Sequence, residues 1–149
     1  MAETIFDKIV SGEWSSFKVY EDDDYLAFLT PFGNVKGHTV LIPKSNPGSY
    51  IFEIDDSVYT DLMLRAKIVA GMLRHAFNVE KVGMVIDGGG VAHAHVQLIP
   101  MHGFHEGSTV PESARQFFEI YPGFVSSVDG PKMSDEQLEE IQKKIVEAS

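Results

Sequence analysis

The chain has 149 residues, 44% hydrophobic and 23% charged, enough for one globular domain with a real core. A formal net charge of −10 argues against long-range attraction to nucleic acid or anionic membrane surfaces, and no apolar run approaches the length of a membrane span. The absence of cysteine excludes a disulfide framework and a thiolate metal site, and fits a reducing, cytoplasmic setting.

The first residues, Ala2-Glu3-Thr4, are acidic and lack a signal-peptide core. Ile5, Phe6, Ile9 and Val10 recur at helical spacing before Gly12, which predicts a short helix over 4–11. Alternation of Phe17 and Val19 predicts a strand over 17–21, and residues 25–29 are a second strand, joined to it as a hairpin by the acidic turn Asp22-Asp23-Asp24. That acidic cluster reads as a solvated turn before it reads as a cation site. Pro31-Phe32-Gly33-Asn34 is a loop, residues 38–43 a third strand, and Asn46-Pro47-Gly48 its break. Asp55 or Asp56 caps the one long helix, which is lined on one face by Val58, Leu62, Ala66, Val69, Leu73 and Phe77. Strands are expected over 82–87 and 92–99, and a helix over 112–120 in which Phe117 and Phe118 pack. Ser134 and Gln137 form a capping box opening a last helix to about Ala148, with Ile141 and Ile145 as its apolar edge. Hairpins, a helix and two more strands make an α+β domain with an antiparallel sheet.

The chemistry concentrates in one stretch, Gly88-Gly89-Gly90 followed by Val91-Ala92-His93-Ala94-His95-Val96-Gln97. On an extended backbone, His93, His95 and Gln97 share one face while Ala94, Val96 and Leu98 take the other. Glycine lets backbone approach a ligand closely, so the stretch suggests an anion site. From the residues alone three accounts stand side by side. The row is incidental polarity on a solvated strand. Or it shares a metal ion, with His102, His105, Asp87 or Glu106 as further ligands. Or a neutral histidine attacks phosphorus, its second nitrogen held by an acceptor and the phosphate oxygens met by donors.

With its surroundings, the stretch resembles the histidine-triad (HIT) family of nucleotide hydrolases and transferases. The likeness spans about residues 4–102. It is carried by Ile5-Phe6-Asp7-Lys8-Ile9-Val10-Ser11-Gly12-Glu13, by Val19-Tyr20-Glu21-Asp22 with Leu26-Ala27-Phe28, by Gly37-His38-Thr39-Val40-Leu41-Ile42-Pro43-Lys44, and by the histidine row. The resemblance implies a HIT-like antiparallel sheet of about five strands with one long packed helix. It places the nucleotide-binding domain over 1–106; residues 107–149 lie outside the likeness and are expected to form a C-terminal helical extension packed on the same domain.

The resemblance makes His95 the nucleophile on an α-phosphate and His93 its support, and puts His38 near the phosphate. Ile5, Phe6, Ile9 and Phe28 line the base pocket, and Asp87 falls near the ribose or phosphate. Gly88, Gly89 and Gly90 replace a longer phosphate-binding segment, and Thr30 stands where many members bind ribose hydroxyls with an aspartate. Gln97 replaces the third histidine; it donates a hydrogen bond but is no general acid. Thr4 and Asp7 occupy positions where zinc-binding members have cysteines, so no metal and no cofactor are expected. The implied function is hydrolysis of a phosphoramidate, phosphoanhydride or dinucleotide polyphosphate through a nucleotidyl-histidine. Transfer or phosphorolysis, or nucleotide binding with little turnover, are the alternatives. The implied partners are a purine nucleotide and a second copy of the chain, with no nucleic acid and no membrane.

Overall fold

Thr4 opens the first helix, α1 (Ile5–Ser11), in a computed structural model that describes residues 2–148. Its hydroxyl accepts from the Phe6 and Asp7 amides, and the Asp7 carboxylate takes the Thr4 amide at 2.8 Å, a reciprocal capping box. Gly12 ends the helix at φ 84°, where a side chain is disfavoured. Only Phe6 of α1 is buried.

Strands β1 (Lys18–Glu21) and β2 (Tyr25–Leu29) form the expected hairpin. Its turn is held by Asp22, whose carboxylate accepts from the Asp24 and Tyr25 amides at 2.9 and 2.8 Å, from the Tyr20 hydroxyl at 2.7 Å and from Arg65 at 3.0 Å. The oxygens of Asp22 are thus spent on the protein's own donors. Strand β3 (Thr39–Pro43) is buried throughout. Helix α2 (Asp56–Phe77) follows, with Asp55 at its N-cap position but making no side-chain cap bond there; its charge still suits the helix dipole. Strands β4 (Val82–Val85) and β5 (Val96–Pro100) complete an antiparallel sheet of five strands in the order β1-β2-β3-β5-β4.

The two faces of this sheet do different work. On one face, Tyr25, Ala27, Leu41, Val96 and Leu98 pack against Leu62, Ala66, Val69 and Leu73 of α2, which form the predicted stripe. On the other, Leu26, Phe28, Val40 and Ile42 meet Phe6 of α1. This second, thinner cluster is the floor of the histidine row.

Three sequence expectations need correction. The fourth strand stops at Val85, because Asp87 turns back to bond the Gly89 amide at 3.0 Å. The fifth strand begins at Val96 and not at 92, because upstream the chain leaves the ladder: the His93 amide bonds the Val91 carbonyl at 2.8 Å and the Ala94 amide the Gly48 carbonyl at 2.7 Å. The helix expected over 112–120 is a single 3₁₀ turn, Glu112–Ala114. Beyond it the Gln116 amide bonds the Asp129 carbonyl at 3.0 Å instead of continuing a helical ladder.

The chain divides into two compact units, 1–106 and 107–149, with residues 1 and 149 outside those described. The second unit holds the Phe118–Phe124 edge-on pair and helix α3 (Asp135–Ala148). Its N-terminus carries the predicted box, with the Ser134 amide on Gln137 Oε1 at 2.9 Å and the Gln137 amide on Ser134 Oγ at 3.2 Å.

Candidate active site

His95 is held from behind by its own chain. Its Nδ1 lies 2.8 Å from the His93 carbonyl, which can only accept, so Nδ1 carries the proton. In the neutral ring Nε2 then bears a lone pair, and among the described residues it has no hydrogen-bond partner. His95 is partly exposed, and its ring stands edge-on to Phe6 at 5.3 Å.

His93 is fully buried. Its Nε2 donates to the Pro43 carbonyl at 2.7 Å, and its ring lies edge-on to Phe6 at 5.6 Å. Burial pushes its imidazole below the usual histidine range, and neighbouring His95 adds to this; the Pro43 bond and Asp7 pull the other way. The second nitrogen, Nδ1, is buried without a hydrogen-bond partner.

Gln97 is the third member of the row. Its Oε1 sits 2.9 Å from His38 Nε2, while the Asn34 amide donates to His38 Nδ1 at 3.3 Å. A ring accepting at Nδ1 must donate at Nε2, so Gln97 presents its oxygen to His38 and keeps its amide N–H groups for a ligand. His38 is buried with both ring nitrogens engaged by the protein, so it acts through Gln97.

The remaining expected residues surround this core unequally. Phe28 is buried and meets Phe6 edge-on at 5.7 Å, while Ile9 is partly buried and Ile5 exposed. Thr30 spends its hydroxyl oxygen on the Phe32 amide at 3.1 Å, leaving the hydroxyl proton to donate. Gly88 and Gly90 adopt φ 74° and 75°, and the Asp87 bond to Gly89 lies between them, so the glycine turn is shaped by a carboxylate. His102 and His105 are elsewhere: His102 bonds the Lys36 carbonyl and packs on Phe77, and His105 faces Glu80 at 3.7 Å. Among the described residues no group of three or more His, Asp or Glu side chains is placed to hold a metal ion.

Four contributors escaped the sequence reading. Pro43 supplies the acceptor for His93, Asn34 fixes the His38 tautomer, and Asp7 Oδ1 stands 3.9 Å from His93 Nδ1. Asn46, read only as a strand breaker, bonds the Ala92 carbonyl at 2.9 Å and steadies the approach to the row. The Asn-Pro-Gly turn, with its polar side chain, was the one available signal.

A family model described as the HIT domain matches residues 11–106. The Bacillus subtilis protein called Protein hit is 34% identical over 113 residues, covering 69% of this chain and 74% of its own. The Saccharomyces cerevisiae protein called adenosine 5'-monophosphoramidase HNT1 is 36% identical over 100 residues, covering 66% of this chain and 63% of its own. A crystal structure of a member of the HIT family of proteins from Bacillus subtilis superposes with a TM-score of 0.69 at 27% identity, covering 98% of this chain and 96% of that one.

Proposed function

The chain belongs to the HIT family, and from that premise we propose that it is a nucleotide hydrolase working through a nucleotidyl-histidine on His95. The observation that carries this reading is the 2.8 Å bond from His95 Nδ1 to the His93 carbonyl, which leaves Nε2 as the ring's nucleophilic nitrogen. Nε2 attacks the α-phosphorus, and the bond to the leaving group breaks with its electron pair. Water then attacks the same phosphorus and loses one proton to solvent, and the bond from phosphorus to Nε2 breaks with its pair returning to the ring, which releases the nucleotide. Gln97 N–H groups and the amides of Gly88 and Gly90 meet the phosphate oxygens as charge grows on them, while the Gly89 amide holds the Asp87 carboxylate that shapes the turn. Ile5, Ile9, Phe6 and Phe28 offer an apolar wall for a purine, and Thr30 a single donor for the ribose.

Gln97 favours one narrower statement. It cannot protonate a leaving group, so that proton must come from solvent or from the substrate itself. This disfavours substrates whose leaving group departs strongly basic and unprotonated, whereas a phosphoramidate nitrogen can bring its own proton and leave as ammonia; it also keeps transfer to phosphate open as a second reading. Incubation with adenosine 5'-phosphoramidate, the substrate type in the yeast relative's name, separates these. Release of AMP supports hydrolysis. Acceleration by added phosphate with an ADP product supports transfer. Saturable AMP binding without turnover of phosphoramidate, diadenosine polyphosphate or nucleotide sugar contradicts both.

We also assign the chain a homodimer. Leu64, Ile68 and Met72 stand one turn apart on α2 and are 42–52% exposed, and Met84 is 51% exposed on the edge strand β4. An apolar stripe beside an open strand edge supports self-association.

A further inference from the structure

Two acceptors face each other behind the nucleophile. His93 has committed its Nε2 proton to Pro43, so its buried Nδ1 presents a lone pair with no donor to meet it. Asp7 Oδ1 stands 3.9 Å away. This orientation of Asp7 is built in. Its other oxygen, Oδ2, takes the Thr4 amide at 2.8 Å and the Thr4 hydroxyl at 3.2 Å, and Oδ1 is the oxygen left over. A lone pair facing a carboxylate is repulsive, and His93 Nδ1 is buried with no donor to meet it, although the Asp7 side chain is 29% exposed. One proton between them removes both penalties. It turns Nδ1 into a donor and the repulsion into a charge-assisted hydrogen bond, once the gap closes by about 1 Å.

We propose that Asp7 and His93 form a proton site behind His95, and that through it Asp7 is a positioning residue for the nucleophile. Filling the site moves one proton from solvent onto His93 Nδ1, keeps the Nε2 proton on Pro43 and breaks no covalent bond. The groups that meet His93 are Asp7 and the Phe6 ring from α1, the Pro43 carbonyl from β3, and His95 in its own segment. The Pro43 carbonyl and Asp7 favour the proton against burial and His95, and Asp7 is the one negative charge among them. The residue being locked is the residue whose carbonyl holds His95 Nδ1, so fixing the His93 ring steadies the nucleophile. An anion at His95 adds a second negative charge beside His93 and fills the site. That last step rests on the nucleotide reading; the proton site itself does not.

Histidine side-chain nitrogens of the whole chain, followed by ¹H–¹⁵N NMR against pH, test this directly. Asp7→Asn keeps the acceptor that caps Thr4 and offers an N–H group to the neutral Nδ1, so α1 stays capped while the proton loses its partner. His93 should pass from the Nε2–H form to imidazolium with a midpoint about one pH unit higher in the wild type than in Asp7→Asn, a tenfold difference in proton affinity. Asp7→Glu, which keeps the charge, should lie nearer the wild type. Equal midpoints in wild type and Asp7→Asn would overturn the proposal. Saturating AMP should raise the wild-type midpoint further. AMP that moves other resonances but leaves this midpoint unchanged contradicts the coupling to anions. AMP that moves no resonance contradicts the nucleotide reading, and the Asp7 comparison still decides the proton site.

Discussion

The His95 ring is held at one nitrogen and open at the other, and the proposed chemistry follows from that asymmetry. Asparagine at 95 keeps the size and polarity but has no nucleophilic lone pair, so His95→Asn should lower phosphoramidate turnover by roughly a thousandfold or more while AMP still binds. Gln97 is the residue where activity can be gained. A histidine there can accept from His38 at one ring nitrogen and donate from the other. Gln97→His should therefore raise turnover of substrates with basic leaving groups by roughly a hundredfold, and leave those with acidic leaving groups little changed; a series of leaving groups read by steady-state kinetics checks this. At this scale the sequence was informative about side chains and silent about carbonyls. Alternation put His95 and Gln97 on one face, and both are partly exposed there between buried Ala94, Val96 and Leu98. The groups that set each tautomer are the His93 and Pro43 carbonyls and the Asn34 amide, and backbone atoms leave no mark in a residue pattern.

Elements position the site through short fastenings. Thr4→Ala removes the hydroxyl that caps α1, and it should cost about 1 kcal/mol in denaturant unfolding and loosen Phe6 beneath both histidines. Gly37 is more demanding. It sits at φ 90°, and an added Cβ would collide with the Phe77 ring. Gly37→Ala should destabilise by at least about 1 kcal/mol and displace His38, weakening nucleotide binding although residue 37 offers a ligand no side chain. Helix α2 was legible because it buries one face against the core and its period survives in the sequence, and the β1–β2 hairpin because two strand runs flank the acidic turn, although β2 buries both its faces. The 112–120 segment was not. Its apolar spacing is helical, but Gln116 finds its partner at Asp129, a pairing between distant residues that local periodicity cannot see. The start of β5 was misplaced for the same reason, since the Ala94 amide is taken by Gly48, far away in sequence.

Over the whole molecule, acid should act in two stages. His93 is buried with its ring pushed below the usual histidine range, so the unfolded chain binds that proton first and stability falls as pH drops below about 6.5. Burial pushes the Asp22 carboxyl up, but the Tyr20 hydroxyl, the Asp24 amide, Arg65 and the Tyr25 amide outweigh it and hold it well below the carboxylate range. Its contribution is present above the unfolded value of about 3.9 and is lost as pH falls from there toward the folded value. Melting temperature against pH should show both losses, and Asp22→Asn should remove the second alone, at a cost near neutrality of about 2 kcal/mol. The proposed dimer is tested separately, at the surface. Ile68→Glu places a charge in the α2 stripe, and light scattering should then report one chain in place of two. The central claim is the covalent step, and intact-protein mass spectrometry during rapid quench with adenosine 5'-phosphoramidate tests it most directly. An adenylyl adduct that maps to His95, forms and decays within a turnover and is absent from His95→Asn is the predicted result. Undiminished turnover by His95→Asn, or an adduct on any other residue, would contradict it.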